Sequence, residues 1–460
     1  MQGVRVAVIG AGLSGLRAAA GLSRAGCDVT VIESRRSVGG AAAGGRIDGF
    51  SIDGSLPLMR STDRALLSWI EQSKLAKLLL PPRAVVLAQI FRGTAQPIAT
   101  HGLSDLAKIA GVKKWDSKRL LRLPRLMNRY RPVLDPNQPE LAADLDFRSA
   151  RDFASLYFGR SLWDYWISPE TTCEYAGDEL ELSRVAFLLA RIASREGRAP
   201  LGVPRRGLWE LAERVAADLD VARGIRANEI VPGPNAGYTI HCSPADDASP
   251  QASPRMSDSL ALEVDAVIVA TSPETAGRIA APVLVPAERD FFDHYRGGPT
   301  ATLAMALSSP IDPTTRFVRV PKAEASSIAC YLCEAGSKDG RVPEGKGLLT
   351  LRANAGFANA YLSASDEVVE KSLLAAISRF HPQAAGRSLF TRLRRTQSGN
   401  PNFDVGSYRD LARFARVQED RGDAGRRIYF AGDYRVGPGA DHMVASGRQA
   451  ATQLQAHFAN

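Results

Sequence analysis

The chain opens with apolar residues that change period twice in a short span. Val4-Arg5-Val6-Ala7-Val8-Ile9 is short and β-branched, the pattern of a buried strand. Residues 16–25 place apolar positions at helical spacing and stop at Gly26. Residues 27–33 return to a β-branched run. Strand, helix and strand in this order predict a βαβ unit at the start of the chain. From 60 to 200 the spacing of three and four predicts a mainly helical stretch, with helices over 65–80, 119–130 and 184–195. A further helix follows Pro204, over 208–219. Strands return near 225–231, 238–242 and 266–270. Between them, residues 243–260 are rich in Ser, Pro, Ala and Asp and predict an exposed, mobile hairpin loop. A mixed, strand-rich stretch fills 299–355. Residues 428–431 read as a last short strand and 443–456 as a C-terminal helix. There is no internal repeat.

Composition narrows this picture. The 460 residues are 45% hydrophobic and 23% charged, ordinary globular values that suit two large interleaved domains or about three smaller ones. No run approaches the ~18–20 apolar residues of a spanning helix. Residues 4–22 are small and apolar but lack the basic leader and cleavage site of a signal peptide. Five cysteines, at 27, 173, 242, 330 and 333, cannot frame a chain of this length with disulfides, so a reducing cytoplasm is the expected setting. A net charge of +9 favours an anionic contact. No aromatic RNA motif, zinc finger or long basic tail accompanies it, so no nucleic-acid partner is expected. Residues 113–131 hold eight basic residues and one acid, Asp116, interleaved with Leu120, Leu121, Leu123, Leu126 and Met127. This reads either as a solvated helix face or as a membrane-surface helix, interrupted by Pro124.

The chemistry begins at Gly10-Ala11-Gly12-Leu13-Ser14-Gly15. A lone GxGxxG is weak, but here a strand precedes it and a helix follows. Gly10 permits the tight turn, Gly12 lets a pyrophosphate approach the backbone, and Gly15 lets helix and strand pack. The helix N-terminus then offers unpaired N–H groups to phosphate. Glu33 ends the second strand, placed to accept hydrogen bonds from ribose hydroxyls and to repel the extra phosphate of NADP. NAD and FAD both remain open at this point.

Glu33-Ser34-Arg35-Arg36-Ser37-Val38-Gly39-Gly40 continues past the strand to a second glycine pair. Here the chain resembles the flavoprotein superfamily that includes monoamine oxidase, protoporphyrinogen oxidase and phytoene desaturase. Ser37 stands where that family usually has a basic residue, and Ala41 where amine oxidases often have arginine. The resemblance extends over nearly the whole chain. Gly49 to Ser55 is similar to a turn near the flavin, and Pro204-Arg205-Arg206-Gly207-Leu208 to a Pro-x-Gly-Gly segment. Residues 224–230 are similar to the strand whose backbone meets the adenine, with Ala227 at the contact. Ile428-Tyr429-Phe430-Ala431-Gly432-Asp433 resembles the strand whose acid meets the ribityl–pyrophosphate part of FAD. Ala440-Asp441-His442-Met443 then opens a helix whose positive end faces the flavin. The resemblance implies FAD as cofactor, bound by Gly10, Gly12, Leu13, Ser14, Gly15, Glu33, Ser34, Arg35, Gly39, Gly40, Ala41, Ala227, Gly432, Asp433, Ala440, Asp441 and Met443. No second GxGxxG appears, so no separate NAD(P)H site is expected.

Residues 157–183 and Asn400-Pro401-Asn402-Phe403-Asp404-Val405-Gly406 resemble substrate-domain segments of protoporphyrinogen oxidases. The C-terminal loop 435–441 lacks the aromatic residue that an amine-oxidase cage needs. The implied activity is therefore hydride removal from a bulky, largely apolar substrate, by desaturation or ring oxidation. Oxygen or a quinone accepts the electrons. A flavin amine oxidase and a redox-neutral FAD isomerase are the alternatives. Such chemistry needs little acid–base machinery, and no triad is present. His442 reads as either a base or a helix-cap residue. Cys330-Tyr331-Leu332-Cys333 has no second ligand pair nearby, so no metal site is expected. Aromatic residues clustered over 157–166 read as core or as a substrate wall. The implied fold is α/β. A Rossmann-type FAD-binding domain is built from 1–75, 200–285 and 420–460. An inserted α+β substrate domain is built from 76–199 and 286–419. The expected setting is cytoplasmic, with peripheral membrane contact as a further expectation.

Overall fold

The computed structural model describes residues 3–175, 181–245, 250–258, 260–423 and 425–459. Five strands form a wholly parallel layer in the order Asp220–Arg223, Asp28–Glu33, Arg5–Ile9, Ala266–Val269, Ile428–Phe430. Their near-continuous apolar sequence follows from burial on both faces. Val6 and Val8 pack on one side beneath the helices Leu13–Arg24 and Ala440–Ala459. Ala7 and Ile9 pack on the other, against a cluster that includes Ile225, Phe292, Phe414 and Phe430. The helices Pro286–His294 and Ser407–Asp423, which chain position assigns to the substrate region, supply Phe292 and Phe414 to this cluster.

A second, mixed sheet has seven strands in the order Ser388–Pro401, Gly297–Leu307, Gly347–Ala353, Ile328–Ala335, Arg316–Arg319, Val86–Phe91, Thr94–Pro97. Its register matters for function. Arg394 pairs with Thr302, Thr302 with Arg352, Arg352 with Cys330, and Cys330 with Arg319. Directly opposed residues share a sheet face. One row therefore carries three arginines across five strands. A helical layer is drawn from residues 103–175 and 181–193, built around Leu106, Phe153, Phe158, Trp166 and Phe187. The aromatic residues over 157–166 are thus core: Phe158 and Trp166 are fully buried. Cys330 and Cys333 are both buried on the strand Ile328–Ala335.

Several expectations are corrected. Residues 60–200 are not mainly helical throughout, because Val86–Phe91 and Thr94–Pro97 form a hairpin at the edge of the second sheet. Arg92 and Gly93 both take positive φ (52° and 77°), the conformation of a two-residue hairpin turn. The helix expected over 65–80 breaks into Arg64–Gln72 and Ala76–Leu79 at Lys74, whose φ is 60°. Pro124 does not interrupt a helix; it sits in the first turn of a new one, Leu123–Tyr130, where its missing N–H costs nothing. The described part of 243–260 is not a free loop. Gln251 exchanges both backbone bonds with Arg223, and Arg255 pairs with Asp28 and Asp220. Residues 246–249 and 259 of that stretch, and residues 176–178 of the protoporphyrinogen-oxidase-like segment, lie outside the described residues.

Candidate active site

A cleft runs along the C-terminal edge of the parallel sheet, where α/β folds bind ligands. Gly10, Gly12, Leu13, Ser14, Glu33, Ser34, Arg35, Gly40, Ala41, Ala227, Gly432, Asp433 and Met443 all line it. Gly10 has φ 101°, and a Cβ there would stand 2.7 Å from the Ala270 carbonyl oxygen. Gly40 has φ 59°, and its Cβ would stand 2.9 Å from Gly12 Cα. The two glycine loops therefore abut, and Gly39 N–H donates to the Ala11 carbonyl at 2.7 Å to lock them. Gly15 does not line the cleft; a side chain there would strike the Gly10 carbonyl, so its part is packing. The helix Leu13–Arg24 begins at Gly12 with no side-chain cap, leaving its first N–H groups for a ligand.

Glu33 is held in place from both sides. One carboxylate oxygen accepts from Ala11 N–H at 2.8 Å and the other from Arg35 N–H at 2.9 Å. Ala227 sits where the strand Ile225–Pro232 bulges before Glu229, which turns its backbone toward the cleft. Asp433 follows the strand Ile428–Phe430, and one of its oxygens accepts from Tyr434 N–H at 2.9 Å. Burial pushes its carboxyl up to about 7, against the pull of backbone N–H groups. Two abutting glycine loops, an uncapped helix N-terminus and two strand-end carboxylates fit the phosphates and hydroxyls of FAD.

A second cavity adjoins the first, sharing Leu13, Ala41, Arg394, Thr396 and Met443 with it. Ala440 and His442 line this one. The His442 ring is fixed by a 2.8 Å bond in which Nδ1–H donates to the Pro438 carbonyl. Asp441 lines neither cavity; its Oδ1 accepts from Leu66 N–H at 2.8 Å and ties the C-terminal helix to Arg64–Gln72.

Apolar walls come from Leu56, Leu58, Leu189, Leu201 and Phe317. Four arginines and two glutamates stand among them. Arg60 pairs with Glu174 at 2.6 Å. Glu170 lies 3.5 Å from both Arg191 and Arg319 and accepts from Trp166 Nε1 at 2.8 Å. Burial alone would raise the Glu170 carboxyl, but Arg319, Arg191 and Arg60 outweigh it and hold it below its usual value. Arg319 is 7% exposed, and its Nε has no hydrogen-bond partner. Arg352 spends one terminal nitrogen on the Cys173 and Glu174 carbonyls. Arg394 donates to the Gly40 and Ala43 carbonyls at 2.6 and 2.8 Å, clasping the second glycine loop from the other sheet. Gly54 makes room for it: a Cβ there would stand 1.7 Å from the guanidinium. Sequence pattern offers no signal for Arg319, Arg352 or Arg394, because no local motif contains them; Glu170 lies within the 157–183 segment, but nothing in that segment singles it out.

The family described as flavin containing amine oxidoreductase matches residues 13–455. A Mycobacterium tuberculosis protein provisionally assigned as the flavin-containing monoamine oxidase AofH is 32% identical over 127 residues, 26% of this chain. The chain spans 27% of the length of that curated relative. Among solved structures, putrescine oxidase bound to putrescine superposes with a TM-score of 0.74 at 18% identity, covering 100% of both chains. A provisionally assigned protoporphyrinogen oxidase from Exiguobacterium sp. 255-15 gives 0.73 at 19%, again over 100% of both. A fatty acid isomerase from P. acnes that produces CLA gives 0.69 at 15%, over 98% of this chain and 99% of the other. At these identities the superpositions establish the fold. The family match, which takes in almost every element lining the two cavities, establishes the rest: the chain belongs to the flavin containing amine oxidoreductase family, and its cofactor is FAD.

Proposed function

We propose that the protein is an FAD-dependent oxidoreductase that takes hydride from a carbon centre of a bulky, largely apolar substrate bearing an anionic group. The observation that carries this reading is the row of arginines on the apolar cavity. Bound FAD supplies the hydride acceptor; the chain supplies binding, orientation and exclusion of water. Leu56, Leu58, Leu189, Leu201 and Phe317 desolvate the substrate's body. Arg319 and Arg352 take the anionic end, where a buried guanidinium with an unused donor gains most from a carboxylate. In this reading the FAD-binding domain is Rossmann-type, from 1–75, 200–285 and 420–460, and the substrate domain comes from 76–199 and 286–419. Oxygen or a quinone takes the electrons onward.

Amine oxidation is the second reading, favoured by the family description, AofH and putrescine oxidase. Two features weigh against it. Each cavity carboxylate, Glu170 and Glu174, is already matched by an arginine. Tyr434, the tyrosine closest to the C-terminal loop, packs against Phe291, Phe292 and Tyr295. The test is anaerobic mixing of the yellow protein with candidate panels while following the flavin's visible band. Bleaching by large apolar carboxylates supports the proposal. Bleaching by simple alkylamines alone rejects it for amine oxidation. Conversion only after the flavin is pre-reduced rejects it for redox-neutral isomerisation. Aerobic turnover with peroxide detection then separates oxygen from a quinone.

A further inference from the structure

Three of the largest exposed apolar side chains lie in one small part of the helical layer. Trp115 is 70% exposed, Leu121 72% and Leu156 54%. They belong to different elements, Lys114–Ser117, Lys118–Arg122 and Ala150–Tyr157. Side-chain bonds stitch these elements together. Asp116 Oδ2 accepts from both the N–H and the hydroxyl of Ser161, at 3.1 and 2.6 Å. Lys113 N–H donates to the Ser161 hydroxyl at 3.0 Å, and Arg122 donates to the Tyr157 carbonyl at 3.1 Å. Trp115 therefore stands beside the 159–161 turn, and Leu121 beside the end of the Leu156 helix.

Cations rim this apolar ground. Lys113, Lys114, Lys118, Arg122, Arg125 and Arg129 are all exposed, and the Lys118 ammonium lies over the Trp115 ring at 5.7 Å. The one acid of the segment, Asp116, is consumed by Ser161. Beneath the surface, Leu120, Leu123, Leu126 and Met127 anchor the same segment in the core, so the exposed face is rigidly presented. Ordinary surfaces scatter large apolar groups singly; three gathered on adjoining elements among six exposed cations, with Asp152 the exposed acid on the Leu156 helix, mark a docking face. An indole at the centre and long basic side chains around it suit the boundary between headgroups and acyl chains.

We propose that this face docks the protein onto an anionic lipid bilayer, with Trp115, Leu121 and Leu156 entering the interface and the surrounding cations holding lipid headgroups. The contact is peripheral, since no helix among the described residues is long and apolar enough to cross a membrane. The proposal is independent of the substrate assigned above.

The test uses the full-length, FAD-loaded protein with vesicles of phosphatidylcholine alone or with about one-third phosphatidylglycerol. Sedimentation is expected to show at least tenfold stronger partitioning to the anionic vesicles, lost at about 0.5 M salt. Trp69, Trp163 and Trp166 are buried and Trp209 is half-buried with its Nε1 bonded to Ser51, so the part of a blue shift of tryptophan emission that depends on Trp115 reports on docking. Replacing Trp115 by Phe removes that shift. The variant K113E/K114E/K118E is expected to bind roughly a hundredfold more weakly, with FAD content and melting temperature unchanged. No preference for anionic vesicles, or equal binding by the charge variant, overturns the proposal. A concentration-dependent dimer without vesicles, abolished by W115S/L121S, overturns it in favour of a second copy of this chain.

Discussion

The glycine-lined cleft proposed for FAD and the arginine-lined cavity proposed for the substrate share five residues and a boundary, yet they are built on opposite principles. The cleft is made largely of backbone. Its two glycine loops, uncapped helix N-terminus and Glu33 lie within one stretch from Gly10 to Gly40, and Gly432 and Asp433 join them from the end of the chain's last strand. The cavity is made of side chains brought together by sheet register. Arg394, Arg352 and Arg319 come from three strands, and Glu170 from the helical layer. A backbone site demands particular residues, chiefly glycine, at fixed short spacings. A side-chain site accepts many sequences as long as the register brings the right heads to one face. Motif therefore reports on the first and is nearly silent on the second.

The largest effect is expected where the two glycine loops meet. Gly40→Ala needs a Cβ against Gly12 Cα at an unfavourable positive φ. Its FAD affinity should fall by at least a hundredfold, read by titrating apoprotein with FAD. Affinity within threefold of wild type would show that the loops do not form a cradle.

Glu33→Ala comes next. Loss of hydrogen bonds to a charged group costs roughly 1.5–3 kcal/mol, or about ten- to a hundredfold in FAD binding. The fold should persist, with a near-native circular dichroism spectrum. Unchanged affinity would mean that Glu33 serves only Ala11 and Arg35.

Arg352→Met probes the other region. The KM of an anionic substrate should rise by roughly tenfold or more, while FAD affinity stays within twofold. A matching loss of FAD would show that the two regions are one cooperative site. A KM that does not move would remove Arg352 from substrate binding.

The smallest effect is a pH slope. The Asp433 carboxyl stands at about 7 in the folded apoprotein, above its ordinary 3.8. A raised value means that the folded state holds the proton more tightly than the unfolded one. The associated stability is present below about 3.8 and is lost as pH rises through about 7. Denaturant midpoints of apoprotein should therefore fall between these values more steeply than those of Asp433→Asn. Parallel curves would show that Asp433 is hydrated in the empty cleft.

Much was legible before any coordinates. The βαβ unit, the strand before Gly432 and the C-terminal helix followed from periodicity, because strands buried on both faces must be nearly continuous in apolar residues. The helical reading of 60–200 failed at 83–97, where Arg92-Gly93 is a sound turn signal overridden by the helical spacing around it. The long strand Ser388–Pro401 has no legible pattern: its arginines interrupt any apolar alternation, because Arg394 faces a cavity and a glycine loop, Arg395 holds Asp366 and the carbonyls of Tyr361, Leu362 and Ala364, and Arg392 is exposed.

What the chain alone determined is the FAD-binding half: glycine where φ must be positive or backbones must touch, and a carboxylate at the end of a strand. These are local steric and electrostatic demands, so they appear as spacing. Tertiary structure alone decided the arginine-lined cavity proposed for the substrate. Arg319 and Arg394 are 75 residues apart in the chain, and only the pairing of five strands sets them on one face. Whether an arginine is a solvated surface charge or a buried anchor depends on what packs over it, and that is settled when the sheet, the helical layer and the glycine loops close around the same cavity.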